Sequence, residues 1–189
     1  MILVDTDIRK ALAARVIEID PYDDACLQPA SYDIHLSPAI RRLDPRIEVL
    51  DPSLEQPYTF GEVLQHSFAL HPGEFILASS IERIRLDDFI VAQLSGKSSL
   101  ARLGLQIEAA GYFDPGWNGQ ATMELLNMTQ RPIRLFPGMK VAQMVFIRGS
   151  NRAERPYGHP SLGSKYLGQQ GPTPSEMWRE DPPEVFPTT

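Results

Sequence analysis

The chain has 189 residues, enough for one well-buried domain and tight for two. Hydrophobic residues make up 42% and charged ones 22%, the balance of a soluble globular protein, and a net charge of −6 leaves no global basic field to draw in duplex nucleic acid. The single cysteine, Cys26, excludes an internal disulfide and a Cys-rich zinc site. The first residues lack the apolar core and cleavage site of a signal peptide, and no apolar run approaches the roughly 20 residues of a membrane span. A cytoplasmic protein is expected. The 17 prolines and 13 glycines interrupt the chain too often for long helices and favour short strands joined by turns.

Residues 5–17 read as a helix that Asp5 or Thr6 can cap, with Ile8, Leu12 and Val16 recurring at helical spacing. After the break at Pro21-Tyr22-Asp23-Asp24, alternation places Tyr32, Ile34 and Leu36 on one face of a strand. From Arg41 to Phe68 the chain is irregular, holding Pro45, Pro52 and Pro57, and reads as short strands and surface loop. Phe68 to Ile84 reads as a hairpin turned at His71-Pro72-Gly73, and Phe89 to Leu94 as a strand. Ser98 to Leu103 is the one internal stretch with a helical pattern, and strands are expected at 105–109, 120–128, 132–136 and 140–148. Leu70-His71-Pro72-Gly73-Glu74 is echoed by Leu135-Phe136-Pro137-Gly138-Met139, a Pro-Gly turn between apolar strands in each case, as in a β-fold built from two similar halves. From Arg155 onward Gly, Pro, Ser and Gln dominate, so a β domain over 1–154 is expected to carry a tail, 155–189, that is either disordered or folded over something.

Three places have residue types suited to chemistry. Lys97, Ser98, Ser99 and Arg102 follow Gly96 at a strand end, where a helix start offers backbone N–H groups and the side chains add donors of the kind phosphate oxygens accept. Taken alone, the same cluster also describes a surface helix with solvated charges. Glu124 is a lone acid in Ala121-Thr122-Met123-Glu124-Leu125-Leu126, on the face opposite Met123 and Leu125; it is either a solvent-face carboxylate or a partly desolvated general acid/base. Asp114 heads a Pro-Gly turn, where Asp serves the backbone as readily as a ligand. The four histidines do not cluster, no Cys pair exists for a zinc-dependent base deaminase, and no phosphate-binding glycine-rich loop of the P-loop kind occurs. Hydrolytic chemistry here would use a carboxylate-activated water, with a divalent ion held mainly by substrate phosphates.

Gln28-Pro29-Ala30-Ser31-Tyr32-Asp33, Leu70-His71-Pro72-Gly73-Glu74, the Gly96 to Gly104 block, Asp114-Pro115-Gly116-Trp117, Met123-Glu124-Leu125, Pro137-Gly138-Met139 and the run from Ser164-Lys165-Tyr166 to Gln169-Gln170-Gly171 occur in one order. In that order they resemble the deoxycytidine triphosphate (dCTP) deaminases, which share their fold with the trimeric dUTP pyrophosphatases. The resemblance implies a mainly β, distorted β-barrel or jelly-roll-like fold with a short N-terminal helix and one short internal helix, assembled as a homotrimer with active sites between subunits. By position, Lys97, Ser98, Ser99 and Arg102 would hold phosphates, Asp114 would meet the deoxyribose 3′-hydroxyl, and Thr122 and Met123 would line the base pocket. Tyr157, Lys165 and Gln169 would close from the tail over a triphosphate carrying Mg²⁺, with no zinc involved. Glu124 would activate a water positioned by the Ser98 hydroxyl and the Ala110 carbonyl. The chain departs from the pattern at Ile107-Glu108-Ala109-Ala110, where the deaminases carry His-x-Thr-Ala, residues tied to base positioning and to switching off by dTTP, and the loop is one residue shorter. Gly111-Tyr112 resembles the bifunctional branch that cleaves on to dUMP, and Gln143 resembles a dUTP pyrophosphatase motif. The readings carried forward are deamination of dCTP to dUTP, with or without further cleavage to dUMP and pyrophosphate; dUTP diphosphatase activity alone; and a silent nucleotide-binding regulator.

Overall fold

Period-two alternation governs most of this chain, and the architecture follows from which residues it turns inward. The computed structural model describes residues 1–55, 62–108 and 111–180. In chain order these form α1 (Asp5–Ala13), β1 (Ile17–Asp20), β2 (Leu27–Gln28), β3 (Ser31–Arg42), β4 (Glu62–Val63), β5 (Phe68–Leu70), β6 (Phe75–Leu86), β7 (Ile90–Gly96), α2 (Ser98–Ala101), β8 (Leu105–Glu108), β9 (Tyr112–Phe113), β10 (Asn118–Asn127), β11 (Ile133–Leu135) and β12 (Lys140–Arg148). Among the described residues no helix is long and apolar enough to cross a membrane.

Helix α1 carries Asp5 and Asp7 in its first turn and Lys10 in its last, the arrangement the helix dipole favours, and buries Ile8 completely. Neither expected residue caps it. Val4 occupies the boundary, and the Asp5 carboxylate accepts the Thr6 N–H at 2.7 Å. The helix is also shorter than its periodicity suggests, because Arg15 adopts φ 55° and the Val16 N–H bonds back to the Ala11 carbonyl at 2.8 Å. This left-handed closure ends the helix and aims Val16 into β1.

A curled sheet of ten strands runs β8-β10-β6-β3-β12-β7-β9, with β1 added on β6 and with β2 and β4 added on β3. Met123 and Leu125 from β10, Ile76 from β6, Ile34 from β3, and Met144 and Phe146 from β12 are all 0% exposed. Full burial of such a side chain is worth about 1.5–3 kcal/mol, and a one-residue slip would turn the whole row outward, so the apolar face fixes the register. The expected mainly β fold with two short helices is what the chain forms.

The stretch 68–84 is not a hairpin. β5 and β6 are joined by a turn in which the Glu74 N–H bonds to the His71 carbonyl at 3.0 Å, but β5 pairs with β11, Ile133 opposite Leu70 and Leu135 opposite Phe68. β11 leaves through the matching turn, Met139 N–H to Phe136 carbonyl at 3.1 Å, into β12. Gly73 (φ 71°) and Gly138 (φ 82°) occupy the same turn position, and each glycine N–H donates to a strand of the large sheet, to the Asn127 and Leu36 carbonyls at 2.9 and 2.8 Å. The sequence echo therefore marks two like strand–turn–strand units whose short strands pair with each other.

Asn127 closes this corner from β10 while only 1% exposed. Its side-chain amide donates to the Leu70 and Arg131 carbonyls at 2.9 and 2.8 Å, and its oxygen accepts the Thr129 N–H and hydroxyl, both at 2.9 Å. Asn127→Ala leaves these buried groups without their partner and is expected to lower unfolding free energy by about 2–4 kcal/mol, measured by urea denaturation.

Candidate active site

The alternation that buries Met123 and Leu125 sends Thr122 and Glu124 to the opposite face of β10. There they line a cavity of ≈ 330 Å³ together with Phe75 and Leu77 from β6, Tyr112 and Phe113 from β9, Asp114, Trp117, and residues of the tail that include Tyr157, Tyr166, Gln169 and Thr173. Glu124 stands opposite Leu77 in the strand register, and its Oε2 is closed off from solvent. An acid in an apolar wall, partly desolvated, is suited to moving protons more than to binding a fixed cation. Phe113 and Trp117 pack edge to face with ring centroids 4.6 Å apart, and both are nearly buried. They brace the turn between them, closed by the Trp117 N–H on the Asp114 carbonyl at 3.1 Å, so that exposed Asp114 is held at the rim. A smaller adjoining cavity shares Asp114, Tyr157 and Tyr166 and adds Lys165, whose ammonium is paired with Glu180.

The described part of the tail, through Glu180, packs against the body. Its Tyr157 N–H bonds to the Pro115 carbonyl at 2.7 Å, the Tyr157 hydroxyl accepts the Tyr166 N–H at 3.0 Å, and the Thr173 N–H meets the Thr122 hydroxyl at 3.1 Å. Asp114, Thr122, Glu124, Tyr157, Lys165 and Gln169 thus converge on one region of a single chain.

The remaining expected residues lie elsewhere. Met123 is 0% exposed in the core, so its side chain does not line the base pocket: neighbouring residues of one strand cannot share a face. Ala110 lies outside the described residues. Lys97, Ser98, Ser99, Arg102 and Gln143 do not line the cavity, and Ser98, Ser99 and Arg102 are exposed. Ser98 and Glu124, expected to face each other across one pocket, do not line a common cavity within one chain.

A second polar centre holds Lys97. Asp33, 2% exposed, accepts the Lys97 ammonium at 2.5 Å, the Gln28 amide at 3.3 Å and the Lys140 ammonium at 3.3 Å. Burial works against the Lys140 charge, but its bond to Asp33 and the nearby Cys26 and Asp33 raise its pKa overall. Gln143 sits opposite Asp33 on one side and Ser95 on the other and accepts the Ser31 hydroxyl at 3.4 Å. Ile107, at the departure from the family pattern, packs over Gly96 just ahead of Lys97. Tyr112, Trp117 and Tyr166 enter the sequence reading only inside motifs, with no place in the cavity assigned, and the anchor role of Asp33 is missed there; the signal for Asp33 is an acid between Tyr32 and Ile34 in an apolar strand.

A family described as dCTP deaminase-like matches residues 2–149. The protein named "dCTP deaminase, dUMP-forming" from Acidothermus cellulolyticus is 47% identical over 187 residues, covering 95% of this chain and 96% of its own length. A protein of the same name from Rhodococcus opacus is 46% identical over 183 residues, covering 94% and 97%. The crystal structure of 2′-deoxycytidine 5′-triphosphate deaminase from Agrobacterium tumefaciens superposes with a TM-score of 0.63 at 23% identity, over 78% of this chain and 48% of that one, a likeness of fold to about half of the longer protein. The family match over residues 2–149 and the full-length relatives agree: the chain belongs to the dCTP deaminase-like family.

Proposed function

We propose that this chain hydrolytically deaminates dCTP and carries the nucleotide on to dUMP. The observation that carries the reading is the cavity itself, in which one acid from an apolar strand, Glu124, faces a pyrimidine-sized space rimmed by Asp114 and covered by the tail. The relatives named as dUMP-forming dCTP deaminases, matched over nearly the full chain, support the substrate and the end product.

In this reading Glu124 takes a proton from water as its oxygen attacks C4 of the cytosine, then passes protons to N3 and to the departing amine, so that dCTP and water give dUTP and ammonia. A second water cleaves between the α- and β-phosphates to give dUMP and pyrophosphate. Asp114 accepts the deoxyribose 3′-hydroxyl, Thr122 lies along the base, and Tyr157, Lys165 and Gln169 close over the phosphates and exclude water. The substrate is the Mg²⁺ complex of the nucleotide, with the ion on the triphosphate oxygens. Ser98, Ser99 and Arg102, exposed on their own chain, complete the cavity of a neighbouring copy in a homotrimer, with Ser98 positioning the attacking water.

Incubation with dCTP and Mg²⁺, separating ammonia, dUTP, dUMP and pyrophosphate, is expected to give ammonia and dUMP. Pyrophosphate from dUTP without ammonia from dCTP would assign a diphosphatase instead. Glu124→Gln is expected to cut ammonia release by about 100-fold or more while nucleotide binding stays near normal. Arg102→Ala is expected to weaken nucleotide binding by about 1.5–3 kcal/mol, measured calorimetrically. Mixing Glu124→Gln chains with Arg102→Ala chains is expected to restore activity at about one quarter of the sites, as random assembly of shared sites requires; a site built within one chain would restore none.

A further inference from the structure

We infer that Gln120 is a positioning residue that latches each chain's tail over its own Glu124 cavity. The inference rests on the proposed function for its consequence in turnover, and on the geometry of the chain for the latch itself.

Pairing between β10 and β6 slips after Gln120: Gln120 stands opposite Arg83, whereas Thr122 stands opposite Ser79. The extra residues on β6 turn the Ser80 and Ile81 carbonyls away from the ladder, and the Gln120 amide donates to both, at 3.0 and 3.1 Å. The buried Ser80 hydroxyl takes up the Ala121 N–H at 2.8 Å. With its NH₂ committed to the sheet, the Gln120 side chain presents its oxygen outward, and that oxygen accepts the Gly171 N–H of the tail at 2.7 Å. The backbone of the same residue holds Gln169 from both directions: the Gln120 N–H donates to the Gln169 carbonyl at 3.1 Å, and the Gln169 side-chain amide donates to the Gln120 carbonyl at 2.6 Å. Gln120 therefore joins the irregular point of the sheet to two tail residues.

The neighbouring positions are shaped to match. Gly168 N–H donates to the Asn118 carbonyl at 2.7 Å, flanking the latch on one side, while Thr173 on Thr122 flanks it on the other. Between them, a Cβ on Gly119 would come within 3.1–3.2 Å of the Gln169 backbone and Cγ; in the turn before β10, one on Gly116 would come within 2.7 Å of Pro156. The edge of β10 from Asn118 to Thr122, and the turn before it, thus receive the tail at close range, beside the cavity that Glu124 lines. A glutamine is suited to the central place because it is neutral and both donates and accepts; a carboxylate would oppose the Ser80 and Ile81 carbonyls. When only a fraction of chains hold a closed tail, apparent nucleotide affinity falls by that fraction, whereas saturating nucleotide restores closure.

Hydrogen exchange of the ligand-free full chain tests the latch without reference to activity. Gln120→Ala is expected to speed exchange at Gly168, Gly171 and Thr173 at least about fivefold while the β3 and β12 amides keep wild-type protection. Gln169→Leu removes the donation to Gln120 from the tail side and leaves the sheet intact; it is expected to speed the same amides and decides the matter if Gln120→Ala does not fold. Wild-type exchange of those tail amides in the folded variants overturns the latch. In steady state with dCTP, Gln120→Ala is expected to raise KM about fivefold or more with kcat within about twofold. Fast tail exchange with an unchanged KM overturns the tail's part in substrate capture, while absence of turnover in the wild-type chain refutes the proposed function and leaves the exchange result to judge the latch.

Discussion

Everything at the cavity depends on the alternation of β10. The strand buries Ala121, Met123 and Leu125 on one face, and that burial leaves no choice about where Gln120, Thr122 and Glu124 point. The apolar face supplies the stability; the other face is thereby free to hold a carboxylate, a hydroxyl and an amide at fixed spacing along one rigid element. β10 pairs with β6 along most of its length and with β8 from Glu124 to Asn127, so Glu124 stands where the strand is tied on both sides.

The local pattern was readable where a residue's surroundings lie on its own strand. Strand β12 occupies the span its alternation indicates, and Glu124 lies on the face opposite Met123 as its position requires. Reading failed where a distant partner decides. A Pro-Gly turn is visible in sequence, but nothing near Phe68 tells that its strand pairs with residues 133–135 and not with those after the turn. Arg15 in a left-handed conformation stops α1 although a non-glycine residue rarely does so. Placing Met123 in the pocket beside Thr122 carried a family motif over residue by residue and ignored the period of the strand, which forbids it.

The candidate site was readable in composition and only half readable in space. Asp114, Thr122, Glu124 and the tail residues gather at one cavity, whereas the segment Lys97 to Arg102 does not line it and Lys97 is held by Asp33. Chain order says nothing about whether two motifs meet within one molecule or between copies. The two places are nevertheless organised alike: a polar side chain, nearly buried Asp33 in one case and half-buried Gln120 spanning sheet and tail in the other, fixes a segment that offers its remaining groups outward.

The pairing of β3 with β12 sets a schedule for synthesis. Residues 31–42 leave the ribosome roughly 100 residues before 140–148, a wait of about 5–20 s at ordinary translation speeds. Throughout that interval a long nascent strand with an apolar face lacks its neighbour, and β5 likewise awaits β11. The protein is therefore most vulnerable to aggregation before its last strand emerges, and chaperone engagement would be concentrated there, early in the life of each molecule and not after folding is complete.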